Sequence, residues 1–286
     1  MISIGQHHRL TILKRSEPGC FLDGQNLGKI LLPKRYCSDE LKSGDEIDVF
    51  IYRDSEDRLI ATTETPKTIV NQCAYLKVIA ISKPGAFLDW GLPKDLLIPY
   101  NQQQIPVEEG YSYVVYTYLD ASSDRIVAST RLEDHLKDYP SDLEKWQAVD
   151  IQIYGKSDLG FKAVIEDRYL GQLYDNEVFQ KLYFGQTLTA YIKQVRSDGK
   201  IDLSLQLPTH RIRESLADQI LTDLQERGGE SALTDKSSPD SIYEKFSVSK
   251  SRYKKALGLL YKSRQIIIEK NRIVLTSNLP NEDLPD

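Results

Sequence analysis

Pro84-Gly85-Ala86-Phe87-Leu88-Asp89, followed by Gly110 and then by Asp124-Arg125-Ile126-Val127-Ala128-Ser129, has two counterparts in the same chain. The earlier one is Pro18-Gly19-Cys20-Phe21-Leu22-Asp23, then Gly44, then Asp57-Arg58-Leu59-Ile60-Ala61-Thr62. The later, looser one is Leu159-Gly160-Phe161-Lys162-Ala163, then Gly185, then Gly199-Lys200-Ile201-Asp202-Leu203-Ser204. Gly19 to Gly44, Gly85 to Gly110 and Gly160 to Gly185 are each 25 residues apart. Equal spacing with the same apolar alternation around it marks tandem copies of one small folding unit.

Within the second copy, 74–81 is a β-prone run ended by the turn pair Pro84-Gly85. Short strands follow at 86–89, 95–99, 111–118 and 125–129. The first copy reads the same way at 9–14, 20–23, 27–32, 46–53 and 58–63, and the third at 150–155, 161–165, 169–174, 187–195 and 200–205. Five short strands in about 60 residues, with turn residues between them, predict a closed or nearly closed barrel. Gly19, Gly85 and Gly160 fall where a tight reversal or close backbone approach is needed.

At Thr209 the period changes from two to 3.6. Ile212, Leu216, Ile220 and Leu224 form one apolar stripe, ended by Gly228-Gly229. A short second helix begins with Ser238 as N-cap and Pro239 at the first helical position. Residues 247–249 are a turn, and 250–263 a third helix with Tyr253, Ala256, Leu257 and Leu260 facing inward. Strands at 266–268 and 273–275 complete a winged-helix plan. The whole is therefore multidomain: three all-β five-stranded barrels (1–68, 69–136 and a divergent 137–207), an α+β winged helix (208–278) and a disordered tail (279–286).

Composition bounds the rest. Net charge is −5, unevenly spread: residues 1–207 carry −6, and 208–286 carry +1. Within 247–272, eight basic residues face one acid, Glu269. Three cysteines without metal-like spacing argue against a disulfide framework or a zinc site, and no apolar run reaches the roughly 18 residues of a membrane span. The N-terminus does not read as a signal peptide. We expect a cytoplasmic monomer that touches no membrane and uses no cofactor or metal. Phosphate-binding, zinc-protease and serine-hydrolase signatures are missing, so no catalytic residue is named.

The Gly-x-Phe-apolar-Asp second strand, the Leu-Leu-Pro or Leu-Ile-Pro third strand and the closing Asp-Arg-apolar-x-Ala-Ser/Thr resemble the S1 domain, an OB-fold RNA-binding module. The layout, with Gly85-Ala86-Phe87-Leu88-Asp89-Trp90-Gly91-Leu92-Pro93-Lys94-Asp95 at its centre, is similar to the bacterial conserved virulence factor B family. The resemblance implies single-stranded RNA as partner and a role in gene expression through messenger RNA or the ribosome. It places Phe21, Phe87 and Phe161 on the binding face, with Arg58, Arg125 and Lys200 beside them on the closing strand. Tyr75, Lys77 and Lys14 complete that surface. Exposed rings there would stack on unpaired bases at about 1–3 kcal/mol per base. Strand aromatics are as readily core. Trp90 is either a stacking platform or a plug between domains. The tyrosines of 111–118 suit packing.

The third helix carries Lys250, Arg252, Lys254 and Lys255 near its start, where helix-turn-helix relatives contact nucleic acid, and Lys270 and Arg272 sit in the wing. Duplex DNA is an alternative partner through this unit. A third reading makes all units a protein-docking scaffold.

Overall fold

The computed structural model describes residues 1–136 and 140–278, with backbone alone for 209–215 and 278. The expected tail at 279–286, the start of the third unit at 137 and the side chain of Ile212 lie outside the described residues. Two compact units result, residues 1–205 and 206–286.

The first unit holds three closed barrels. Barrel 1 is built from β1 (His7–Ser16), β2 (Gly19–Asp23), β3 (Lys29–Pro33), β4 (Glu46–Arg53) and β5 (Leu59–Thr62). Barrel 2 uses β6 (Gln72–Ser82), β7 (Gly85–Asp89), β8 (Leu96–Pro99), β9 (Ser112–Asp120) and β10 (Arg125–Ser129). Barrel 3 uses β11 (Ala148–Ser157), β12 (Gly160–Ile165), β13 (Tyr169–Tyr174), β14 (Thr187–Val195) and β15 (Ile201–Ser204). Each runs first-second-third-fifth-fourth around the barrel, with the third and fifth strands parallel. This is the expected five-stranded barrel in all three copies.

Two local devices repeat and explain the closure. The first strand of each barrel shifts register by one residue, at Ile12/Lys14, Val78/Ala80 and Ile153/Gly155. Such a bulge bends and coils the strand so that it can pair on both sides. The second strand opens on a glycine with φ of +148°, +150° or +141°. A Cβ on Gly19, Gly85 or Gly160 would lie 2.0–2.1 Å from the carbonyl oxygen of Leu32, Ile98 or Leu173. Only glycine fits there.

Alternation fills each barrel. Leu22, Ile30, Leu32 and Ile51 are fully buried in barrel 1, and Leu88, Ile98, Val115 and Ala128 in barrel 2. Each such leucine or isoleucine contributes roughly 1.5–3 kcal/mol by leaving water. β4 is buried on both faces: Val49 and Ile51 belong to the barrel 1 core, while Phe50 and Tyr52 belong to that of barrel 2. Val114 of β9 likewise points outward, onto Leu132 and Leu136 around α1 (Leu132–His135) and onto Val164 of barrel 3. His135 lies against Tyr116 and Tyr118, ring centroids 5.1 and 4.5 Å away, so these tyrosines pack.

The second unit is a winged helix. It comprises α2 (Thr209–Glu226), β16 (Glu230–Ser231), α3 (Pro239–Phe246), α4 (Lys250–Lys262), β17 (Ile266–Ile268) and β18 (Ile273–Leu275). Ser238 caps α3 by accepting from the Ser241 amide, and Ser249 caps α4 by accepting from Arg252. Tyr253, Ala256, Leu257 and Leu260 are buried as expected, against Leu216, Ile220 and Leu224. The wing has one strand more than expected. β16, only two residues long, pairs with β18, too short a segment to show periodicity. Among the described residues no helix is long and apolar enough to cross a membrane.

Candidate nucleic-acid interface

Across the outside of barrel 2, strand register lines up Ala80, Phe87, Leu97, Val127 and Tyr118 in one row over five strands. Phe87 sits between the fully buried Ala86 and Leu88, so alternation turns its ring outward, where it is half-buried. Arg125 stands two residues before Val127, on the same face. Phe87, Leu97 and Val127 of this row line a groove of about 400 Å³ between barrels 1 and 2, together with Trp90, Pro93 and Lys94 of barrel 2 and Tyr52, Arg53 and Asp57 of barrel 1. Arg53, Lys94 and Asp57 were not among the expected site residues. No spacing within one repeat announces them, because two repeats must meet to bring them together.

Arg125 donates from Nε to Asp57 Oδ1 at 2.9 Å and from Nη2 to Asp57 Oδ2. Lys94 Nζ donates to the Asp54 carbonyl at 2.6 Å and stands 3.8 Å from Asp57 Oδ1. The hydrogen bond from Arg125 holds the Asp57 carboxyl below its ordinary pKa. Burial lowers the pKa of the Lys94 ammonium and raises that of Tyr52 to about 12.

In barrel 1 the same row is Lys14, Phe21, Leu31, Ile60 and Tyr52. Phe21 is half-buried, with Lys14 Nζ 5.3 Å from its centroid. Tyr52 and Ile60 pack toward barrel 2, which leaves Phe21 and Leu31 open. Arg58 pairs with Asp54 at 2.8 Å and Glu56 at 2.9 Å, within its own turn.

Barrel 3 corrects one expectation. Its row is Gly155, Lys162, Gln172, Asp202 and Gln194. Counted from the repeat glycine, Lys162 takes the place of Phe21 and Phe87, whereas Phe161 takes that of Cys20 and Ala86, both fully buried. A one-residue offset in a strand turns a side chain to the other face. Phe161 therefore packs against the barrel 3 core, with Lys156 Nζ 4.9 Å from its ring. The equal glycine spacing could have revealed this. Barrel 3 has its own groove, of about 560 Å³, where the apolar Leu159, Leu170 and Ile201 share the lining with paired polar and charged side chains. Arg196 chelates Asp202 at 3.0 and 2.9 Å, Tyr174 donates to Asp202 at 3.1 Å, and Lys162 pairs with Glu133 at 3.0 Å. Lys200 stands at the rim, 3.5 Å from Asp198.

Trp90 takes one of its two expected roles, and Tyr75, 42% exposed, stands apart from Phe87. Trp90 is 3% exposed, so neither face of its ring is open for a base. It meets Phe50 and Tyr52 edge-on at 5.8 and 6.4 Å and donates Nε1–H to the Lys94 carbonyl at 2.5 Å; it is the plug between barrels. Tyr75 lies beyond the β6–β7 ladder, away from Phe87, and a Cβ on Gly185 of barrel 3 would strike its ring at 2.2 Å. Lys77 is exposed beside Asp89, whose carboxylate Lys67 holds at 2.6 Å.

On the winged helix, Arg252, Lys254 and Lys255 are exposed on α4. Lys254 stands 3.8 Å from Asp235, and Lys250 Nζ donates to the Lys236 carbonyl at 3.3 Å. In the wing Lys270 is exposed, while Arg272 is tied to Glu230 at 2.7 Å and Glu269 at 2.8 Å. Among the described residues no cluster of three or more His, Cys, Asp or Glu side chains could hold a metal.

Comparison with known proteins agrees with this architecture. The S1 domain family matches residues 4–64, which hold barrel 1, and the CvfB-like winged helix domain matches 218–275. The chain is 30% identical over 275 residues to the uncharacterized protein YitL of Bacillus subtilis, covering 93% of this chain and 91% of that one. It is 27% identical to conserved virulence factor B of Staphylococcus saprophyticus, over 83% of this chain and 82% of that one. The chain belongs to the conserved virulence factor B family. A solved structure described as a multidomain protein with nucleic acid binding domains, from Streptococcus pneumoniae, aligns over 95% of this chain and 98% of its own at 26% identity and a TM-score of 0.41. The S1 and winged-helix domains are nucleic-acid-binding types, and neither is a catalytic family.

Proposed function

We propose that this member of the family is a non-catalytic RNA-binding regulator of gene expression, acting on single-stranded RNA through the outer faces of barrels 1 and 2. The row Phe87, Leu97, Val127 with Arg125 at its edge, in an open groove, carries this reading. An apolar floor with one ring suits an unpaired base, and cations at the rim suit its phosphates. Phe21 with Lys14, and Arg58 in barrel 1, form a second, smaller seat. Barrel 3 and Lys77 add polar contacts at most, and α4 adds phosphate contacts. Several weak seats on one chain reinforce each other through effective concentration. The acidic balance of 1–207 suits selective binding over general polyanion capture. The chain acts as a cytoplasmic monomer on messenger RNA or at the ribosome.

A second reading, duplex DNA as ligand of the winged helix, draws on the exposed bases of α4. One titration separates the two. Labelled single-stranded RNA, single-stranded DNA and duplex DNA are added to the full chain at two salt concentrations, with Phe87→Ala and Arg252→Ala/Lys255→Ala variants. The RNA reading expects RNA to bind best and Phe87→Ala to weaken it. Preference for duplex DNA, abolished only by the α4 variant, would reverse the assignment.

A further inference from the structure

We propose that the groove of barrel 2 is a nucleotide seat whose phosphate position is held, without RNA, by the Asp57 carboxylate of barrel 1, and that Arg53 and Lys94 join Arg125 in gripping the phosphodiester that displaces it. The inference rests on the RNA reading above and assigns the charge control of that site.

Asp57 stands in the turn between β4 and β5, at φ +59°. The corresponding turn of barrel 2 presents Asp124 at φ +52°, and that of barrel 3 Gly199 at +81°. The backbone thus asks for a residue tolerant of positive φ, which glycine supplies without a carboxylate. The turn's own polar bonds are made by Asp54, whose Oδ1 accepts from the amides of Glu56 at 2.9 Å and Arg58 at 3.0 Å. The Asp57 carboxylate is left to face the groove. There it takes the paired bonds from Arg125 by which a guanidinium grips a carboxylate or a phosphate alike.

Arg53 ties the two turns together independently of that carboxylate, its own charge partner being Asp124, with Nη2 3.6 Å from Oδ2. It donates from Nη1 to the Asp57 carbonyl at 2.8 Å and from Nε to the Asp124 carbonyl at 3.1 Å. Three cations therefore line the groove against Asp57 and Asp95. Exchange of the Asp57 carboxylate for a phosphodiester keeps every cation paired, and the base can then lie along Phe87.

The test uses the full chain carrying Trp146→Phe, so that Trp90 in the groove wall is the sole tryptophan. A single-stranded RNA oligonucleotide of mixed sequence is titrated while Trp90 emission is followed. Asp57→Asn keeps a residue tolerant of positive φ, Asp57→Gly copies barrel 3, and Asp39→Asn, fully exposed, controls for the lost charge. Both Asp57 variants should bind roughly tenfold tighter than the parent at low salt, the size of one charge-assisted hydrogen bond gained. Their log affinity should fall more steeply with log salt, by about 0.7 per phosphate engaged. Asp39→Asn should change little. If RNA binds with Phe87 dependence but the Asp57 variants match Asp39→Asn, Asp57 is only a tie between barrels and this inference fails alone. No Trp90 response and no RNA affinity in any variant would overturn the RNA reading as well.

Discussion

Barrels 2 and 3 share strand order, bulge position and the crowded glycine, yet offer opposite surfaces at the same place. In barrel 2 the outward row is Phe87, Leu97 and Val127; in barrel 3 it is Lys162, Gln172 and Asp202. The inward rows stay apolar in both. The fold depends on the inward set, which must leave water. The outward set is less constrained: Val127 and Asp202 are buried, but Phe87, Leu97, Lys162 and Gln172 keep part of their surface in water, and the set can diverge toward stacking in one copy and ion pairing in another.

The largest effect concerns what the two share. Gly85→Ala or Gly160→Ala drives a methyl into a carbonyl oxygen at positive φ and should destabilise the first unit by about 3 kcal/mol in urea unfolding. Equal losses would support the common scaffold; tolerance in either barrel would break it. Next comes the difference itself. Phe87→Ala should weaken single-stranded RNA by about tenfold or more, as loss of one stacked base requires. Phe161→Ala should leave RNA affinity alone and lower stability by about 1–2 kcal/mol, since its ring is only partly buried. Were the two phenylalanines to behave alike in RNA titrations, the offset between the barrels would mean nothing for binding.

A smaller effect separates the closing-strand cations. Arg125→Ala should reduce the salt slope of RNA binding by about 0.7, whereas Lys200→Ala should not change it measurably. The smallest effect is on acid stability. Asp54, Asp57 and Asp89 have pKa values below the ordinary carboxylate value in the fold. They bind protons less readily folded than unfolded, so their contribution is present at neutral pH and is lost as pH falls below about 4 through their folded values. Unfolding midpoints measured from pH 6 to pH 2 should fall, and slightly less steeply in Asp57→Asn. A profile flatter than the parent's in Lys200→Ala but not in Asp57→Asn would move the key pair to barrel 3.

The winged helix was legible almost residue by residue. Its caps, Ser238 and Ser249, act on amides three residues away, and its inward stripe follows one period. Phe87 could be read outward because Ala86 and Leu88 flank it and alternate. The resemblance puts Phe161 on the outer face by pairing phenylalanine with phenylalanine; the count from Gly160 turns it inward. Trp90 could not be decided locally, since its burial comes from Phe50 and Tyr52 of another repeat. The same holds for Asp57, Arg53 and Lys94, which are distant in sequence and unremarkable in their own turns.

Local order, then, is written in the chain: three barrels and a winged helix follow from short-range periods, turn residues and caps, because alternation and allowed φ values act between near neighbours. Tertiary structure alone decided that the outer face of β4 would be buried beneath Trp90 and that a turn of the first barrel would lay a carboxylate among the cations of the second. Those meetings depend on how two finished surfaces fit, and surface fit leaves no period in the sequence.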